Sequence, residues 1–343
     1  MQTIDVTPAL LDIQGMSPAV STFARRAVGN VCAAEERLRW SVSQMLDHDQ
    51  AGASPFRLMP LAIAGACGLR PTDAVAVGAI SRLWWIGAET LDDITDGEFD
   101  SALMGMSATQ AMIACTACLS LIPYKAAEIY APSARLAAAW TGELTSSSLQ
   151  CAEGQLGDLT GADDAVSWKQ AMRAYAGKTG APYARDAAMT ALMAGLPDEQ
   201  VRAWRSFGCL FGVMRQLAND RAGDGADNAD LTNGTPTLLL GHAFGHLPGH
   251  GRDQLARLRM DAASDLAQRQ RLHELLASAD LTVGYNGRID AISGRVAALL
   301  SRLAAASRYR DLLLWMIRAS ADRAKLASPD QRTAESATTG TES

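Results

Sequence analysis

Four aspartates and a glutamate crowd the stretch Leu91-Asp92-Asp93-Ile94-Thr95-Asp96-Gly97-Glu98-Phe99-Asp100. On a helix, Asp92 and Asp96 form an i,i+4 pair on one face, with Asp93 beside them. Carboxylates this close repel one another, so the arrangement calls for a positive partner. A hard cation such as Mg²⁺ suits it, because Mg²⁺ takes carboxylate oxygen, keeps part of its water and binds a substrate phosphate as well. The plainer account is a solvated, acidic helix end. A second acidic stretch, Asn219-Asp220-Arg221-Ala222-Gly223-Asp224-Gly225-Ala226-Asp227, follows a run carrying Trp204, Phe207, Phe211 and Met214. Asn219, Gly223 and Asp227 recur at intervals of four and would share a face of a continuing helix, although Gly223 and Gly225 oppose that continuation. The amide oxygen of Asn219 and the carboxylates of Asp220, Asp224 and Asp227 are suitable cation ligands. Facing each other across a cavity, two such ends would hold several Mg²⁺ ions around one diphosphate.

The elements that must carry these groups read as helices. The chain has 343 residues, 48% hydrophobic and 20% charged, enough for a substantial core. Abundant alanine and few clusters of β-branched and aromatic residues favour helix over strand. A net charge of -6 argues against a general binder of nucleic acid or anionic membrane. Six scattered cysteines form no disulfide framework and suit a reducing cytoplasm; Cys115 and Cys118 sit in apolar surroundings and read as packing. No signal peptide or transmembrane segment is read. The expected organisation is an N-terminal arm over 1–17, one all-helical domain over 18–324, and a polar, disordered tail over 325–343. Within the domain, helical spacing runs through 19–46, 56–67, 74–96, 101–129, 133–157, 167–196, 198–220, 251–279 and 288–322. Gly177, Gly180 and Pro182 mark a break or kink, and Thr72 or Asp73 is an expected N-cap.

In this order, the motifs resemble those of class I isoprenoid synthases, the group of trans-prenyl diphosphate synthases and class I terpene cyclases. Asp92-Asp93-x-x-Asp96 is similar to the first aspartate-rich motif of that group. Gly154-Gln155-x-x-Asp158, Lys178-Thr179 and Gln216-x-x-Asn219-Asp220 follow in the order of the prenyl diphosphate synthase branch, and Thr237-Leu238 resembles a later segment. The resemblance implies an all-α barrel or bundle around a deep apolar cavity, with three Mg²⁺ ions and the diphosphate of a linear prenyl substrate at its mouth. Asp92, Asp93 and Asp96 would act on one side, Asn219, Asp220, Asp224 and Asp227 on the other. Arg57, Lys178 and Thr179 would bind diphosphate. Trp84, Trp85, Phe207 and Phe211 would line the cavity, with Gln155, Asp158 and Gln216 in support. Each aromatic has core packing as its plainer role. A homodimer is a further implication, on which periodicity is silent.

Departures from the elongating pattern shift the expectation. Ser54-Pro55-Phe56-Arg57 retains only Arg57 of a Gly-Gly-Lys-Arg segment, residues 97–109 contain no arginine, and Thr235 stands where a lysine usually precedes the Thr-Leu pair. A second diphosphate would be poorly neutralised. Asn219, Gly223 and Asp227 partly resemble the metal triad of terpene cyclases, Arg173 their diphosphate-sensing arginine, and Arg308-Tyr309 their closing pair. Surface ion pairing or packing is the plainer reading of Arg173, Arg308 and Tyr309. The expectation is therefore a cytoplasmic, Mg²⁺-dependent terpene synthase that ionises a linear allylic diphosphate and cyclises or quenches the cation. The alternatives are a prenyltransferase that joins the allylic group to isopentenyl diphosphate or another acceptor, and a non-catalytic helical interaction protein. His242, His246 and His250 have helical spacing, but Gly241, Gly245, Pro248 and Gly249 argue for loop or cap positions rather than zinc. Glu98 and Asp100 are candidates to orient the first acidic ligands.

Overall fold

A computed structural model describes residues 5–160, 166–221 and 237–327; the side chains of residues 158–160 also lie outside the description. Among the described residues every regular element is helical, in line with the composition. In chain order these are α1 Thr7–Gly15, α2 Ser17–Val31, α3 Glu36–Asp47, α4 Met59–Ala66, α5 Val75–Asp96, α6 Ser101–Met104, α7 Ala108–Ser120, α8 Ile122–Tyr130 and α9 Ala134–Thr160. They continue with α10 Trp168–Tyr175, α11 Ala181–Met193, α12 Asp198–Asn219, α13 Leu238–His246, α14 Gly249–Ala262, α15 Leu266–Leu276, α16 Ala279–Leu303 and α17 Arg308–Ala324. Packing divides the chain into two compact units. The first is Met1–Leu149, Pro182–Gly208 and Leu299–Met316; the second is Gln150–Ala181, Cys209–Ala298 and Ile317–Ser343.

The first unit is built on α5. From Val77 to Gly87 this helix is buried almost all round, as expected of a core helix that is apolar on every side. It packs against α2, α4, α7 and α8. Glycines allow the close approaches: a Cβ on Gly87 would lie 2.6 Å from Cβ of Cys118. Cys115 and Cys118 are therefore core residues, and burial pushes both thiols up. All six cysteines are free. The expected arm is in part the helix α1, anchored by buried Ala9 and Ile13. The 101–129 stretch is three helices, divided where Gly105 takes positive φ and where Leu121 ends α7 before Pro123. Ala108–Tyr130 is long and apolar enough to cross a membrane by length and composition, a test that core helices also pass. The turn before α5 caps differently from expectation, since Asp73 accepts from the N–H of Arg70 rather than opening a helix itself.

In the second unit α10 packs against α13, and α14 against α15. The 251–279 stretch is thus two helices. The break expected at Gly177 and Gly180 is a π-helical turn, Ala176–Gly180, with no interruption of the helical path. Neighbouring backbones press on it. A Cβ on Gly154 would lie 2.4 Å from the Lys178 nitrogen, and one on Gly212 would lie 2.5 Å from the Thr179 carbonyl oxygen. The histidines correct another expectation: His242 and His246 lie on one helix, α13, with rings 5.6 Å apart. Gly241 is kept there because a Cβ would meet the Trp168 backbone at 2.9 Å, so packing overrides its poor propensity. The tail from residue 328 onward lies outside the described residues.

Candidate functional site

The acidic end of α5 is helical through Asp96. Gly97 closes it at φ 77°, and the Glu98 N–H donates to the Asp93 carbonyl at 2.8 Å, a glycine-capped C-terminus. Asp92 and Asp96 therefore do stand one turn apart on one face. Asp92 is half-buried, while Asp93 and Asp96 are exposed. Desolvation at the crowded helix end, followed by the carboxylates of Asp92, Glu98 and Asp96, raises the Asp93 carboxyl above its usual range. A bound cation would offset the desolvation and relieve the smaller carboxylate repulsion. Asp100 caps α6, one of its carboxylate oxygens accepting from the N–H groups of Ala102 and Leu103.

One and two turns earlier on α5 stand Glu89 and Trp85. Arg57 is ion-paired to Glu89, and its guanidinium carbon lies 3.6 Å from the centroid of the Trp85 ring. Arg82 pairs with Asp49 at 2.6 Å and donates to Ser21. Trp84 is buried, donates to Ser148 at 3.3 Å, and carries the Arg185 guanidinium 4.6 Å from its ring. Both tryptophans thus already present one face to an arginine. Phe207 packs edge-on against Trp204, and like Phe211 it is wholly buried.

The second unit holds a connected polar chain. Thr179 donates to Gln216 at 2.5 Å, Gln216 donates to one Asp220 oxygen at 2.9 Å, and Tyr175 donates to the other. The Tyr175 oxygen in turn accepts the Leu238 N–H at 3.1 Å. Burial and then the Asp220 charge push the Tyr175 hydroxyl well above its ordinary range, so it stays a donor. Asp220 is consequently a carboxylate in fixed orientation. Asn219 is exposed and accepts from Arg215 at 3.5 Å. Lys178 and Gln155 are half-buried, and the Lys178 carbonyl accepts from Cys151. Arg173 is exposed near the end of α10. Arg308 and Tyr309, in the first unit, both bond Asp12 of α1, with the Tyr309 ring packed over Gly65. Asp224 and Asp227, like the side chain of Asp158, lie outside the described residues.

Among the described residues no three of His, Cys, Asp and Glu gather as a metal centre. Sequence reasoning missed Glu89 and Tyr175. Glu89 had a signal, its i−4 spacing from Asp93; Tyr175 had none.

Comparison with known proteins adds the family. Residues 92–276, more than half of the chain, match the polyprenyl synthetase model. No curated protein matches. The fold is similar to several solved structures at low identity. The decaprenyl diphosphate synthase of Rhodobacter capsulatus is 15% identical with a TM-score of 0.77, over 93% of this chain and 99% of that one. The polyprenyl synthetase of Streptomyces coelicolor A3(2) is 19% identical with a TM-score of 0.73, over 94% and 100%. The polyprenyl synthase of Caulobacter crescentus CB15, solved with calcium and isoprenyl diphosphate, is 18% identical with a TM-score of 0.65, over 88% and 98%. The family match overturns the expectation of a cyclising terpene synthase. That expectation gave a few local departures more weight than the order of motifs across the chain, and two of its triad positions, Gly223 and Asp227, fall outside the described residues. Carried by a match that begins at Asp92 itself, this chain belongs to the polyprenyl synthetase family.

Proposed function

We propose that the chain is a Mg²⁺-dependent prenyltransferase that ionises a linear allylic prenyl diphosphate and joins the prenyl group to an acceptor. The observation that carries this reading is the helical Asp92/Asp93/Asp96 face, whose mutual repulsion suits a hard cation. Bound Mg²⁺ supplies Lewis-acid assistance to diphosphate departure. Asp92 and Asp96 stand one turn apart on one face of α5 and would hold that ion. Tyr175 and Gln216 orient Asp220 in the same way that outer groups orient metal-binding carboxylates. Asn219, Asp224 and Asp227 are the further ligands we propose beside it, with Lys178, Thr179 and Arg173 toward the diphosphate.

Diphosphate release from farnesyl or geranylgeranyl diphosphate tests the reading. It should require Mg²⁺ and stop in EDTA; equal release in both would overturn it. Tyr175→Phe should weaken the apparent Mg²⁺ affinity by about 10–100-fold, the usual cost of losing such an orienting bond. A Mg²⁺ titration of activity, carried out where circular dichroism shows the variant still folded, would separate this effect from misfolding.

A further inference from the structure

Arg57 is the one cation retained from the segment expected to hold a second diphosphate, and the structure engages it from within. Glu89 takes its charge, and Trp85 takes one face of its guanidinium. The surrounding pocket is lined by Val20, Leu58, Gly78 and these groups, together with the Arg82–Asp49 pair. Two arginines and two carboxylates balance. The remaining space is about 10 Å³, room for roughly one water and far less than a phosphate group needs. Asp49 and Arg82 are nearly buried, with 6% and 11% of their side chains exposed, so that pair cannot open cheaply to solvent, while Glu89 holds Arg57 from the more open side of the pocket. Two buried donors without a partner, Arg57 Nη1 and Trp85 Nε1, complete the pocket wall. Glu89 and Trp85 stand on α5 one and two turns before Asp92 and Asp93, about 5–10 Å along the axis at 1.5 Å per residue. A second substrate approaching along this face of α5 meets no net positive charge there.

Resting on the prenyltransferase reading, we propose that the acceptor is uncharged at the end recognised here, and that Glu89, with Trp85, bars a second diphosphate from Arg57. Glu89 is thereby a specificity-determining residue. Isopentenyl diphosphate and isopentenol, which differ in the diphosphate alone, are the matched probes.

Calorimetric titration of isopentenyl diphosphate in metal-free buffer separates this idea from the parent reading, because it needs no turnover. The wild type should bind no tighter than an Arg57→Gln variant. Glu89→Gln should bind at least about tenfold tighter, a change that Glu89→Gln combined with Arg57→Gln abolishes. Arg57-dependent binding by the wild type, an unchanged Glu89→Gln variant, or formation of a five-carbon-longer diphosphate by the wild type would overturn the inference while leaving prenyl transfer standing. Failure of every allylic diphosphate to react with Mg²⁺ would instead remove the parent reading, and the binding comparison would still decide the role of Glu89.

Discussion

Replacing Asp92 and Asp96 together by asparagine is expected to lower kcat/KM for Mg²⁺-dependent diphosphate release by at least about 10³-fold, the scale of losing charge stabilisation at a departing group. Asparagine keeps the shape and the helical path, and Gly97 still closes α5. What disappears is the paired negative charge on one face. The same substitution removes two of the carboxylates that push Asp93 upward, so the variant should melt at or slightly above the wild-type temperature. Opposite signs for activity and stability distinguish a cation site from a solvated helix end. They also distinguish an enzyme from a non-catalytic helical protein, which would lose nothing that a substrate assay reads.

The largest loss of stability is expected at Asp186→Ala. Arg185 and Asp186 are almost completely buried; Arg185 Nε donates to Asp186 Oδ1 at 2.8 Å, and Ser81 donates to Oδ2 at 2.6 Å. The guanidinium rests over Trp84. Without Asp186 the arginine keeps its charge in the core with no anion beside it, a change that costs about 3–5 kcal/mol. Replacing both residues, by Arg185→Met with Asp186→Ala, leaves no stranded charge and should cost less than the single change. Denaturant midpoints of the two variants check the order. A double variant less stable than Asp186→Ala alone would mean that packing on Trp84, not charge, holds this part of the first unit.

The acidic end of α5 was legible because i,i+4 spacing is a local property, and the helix does continue through Asp96. The π turn at Ala176–Gly180 was legible only as punctuation. Its cause is the approach of Gly154 and Gly212, contacts that no spacing within 176–182 contains. The histidines of α13 were misread for a related reason. Gly241 has a poor helix propensity, yet it is required where Trp168 comes close, and packing decided the outcome. Arg57 was found, but its partner Glu89 stands 32 residues later, and side-chain pairing at that distance leaves no local pattern. The cyclase expectation had a different root, since it set a few missing cations against motifs whose order runs across more than half of the chain. Missing cations are visible in the chain, whereas the partners of a retained cation are not.

The most direct measurement follows a labelled prenyl group. The protein is incubated with Mg²⁺, labelled farnesyl or geranylgeranyl diphosphate, and in turn isopentenyl diphosphate, isopentenol and indole, and the products are resolved by mass. The account predicts label joined to an acceptor, with diphosphate released in equal amount, in a reaction that Asp92→Asn with Asp96→Asn eliminates. Release that yields only hydrocarbons or alcohols of the substrate itself, whichever acceptor is present, would contradict it.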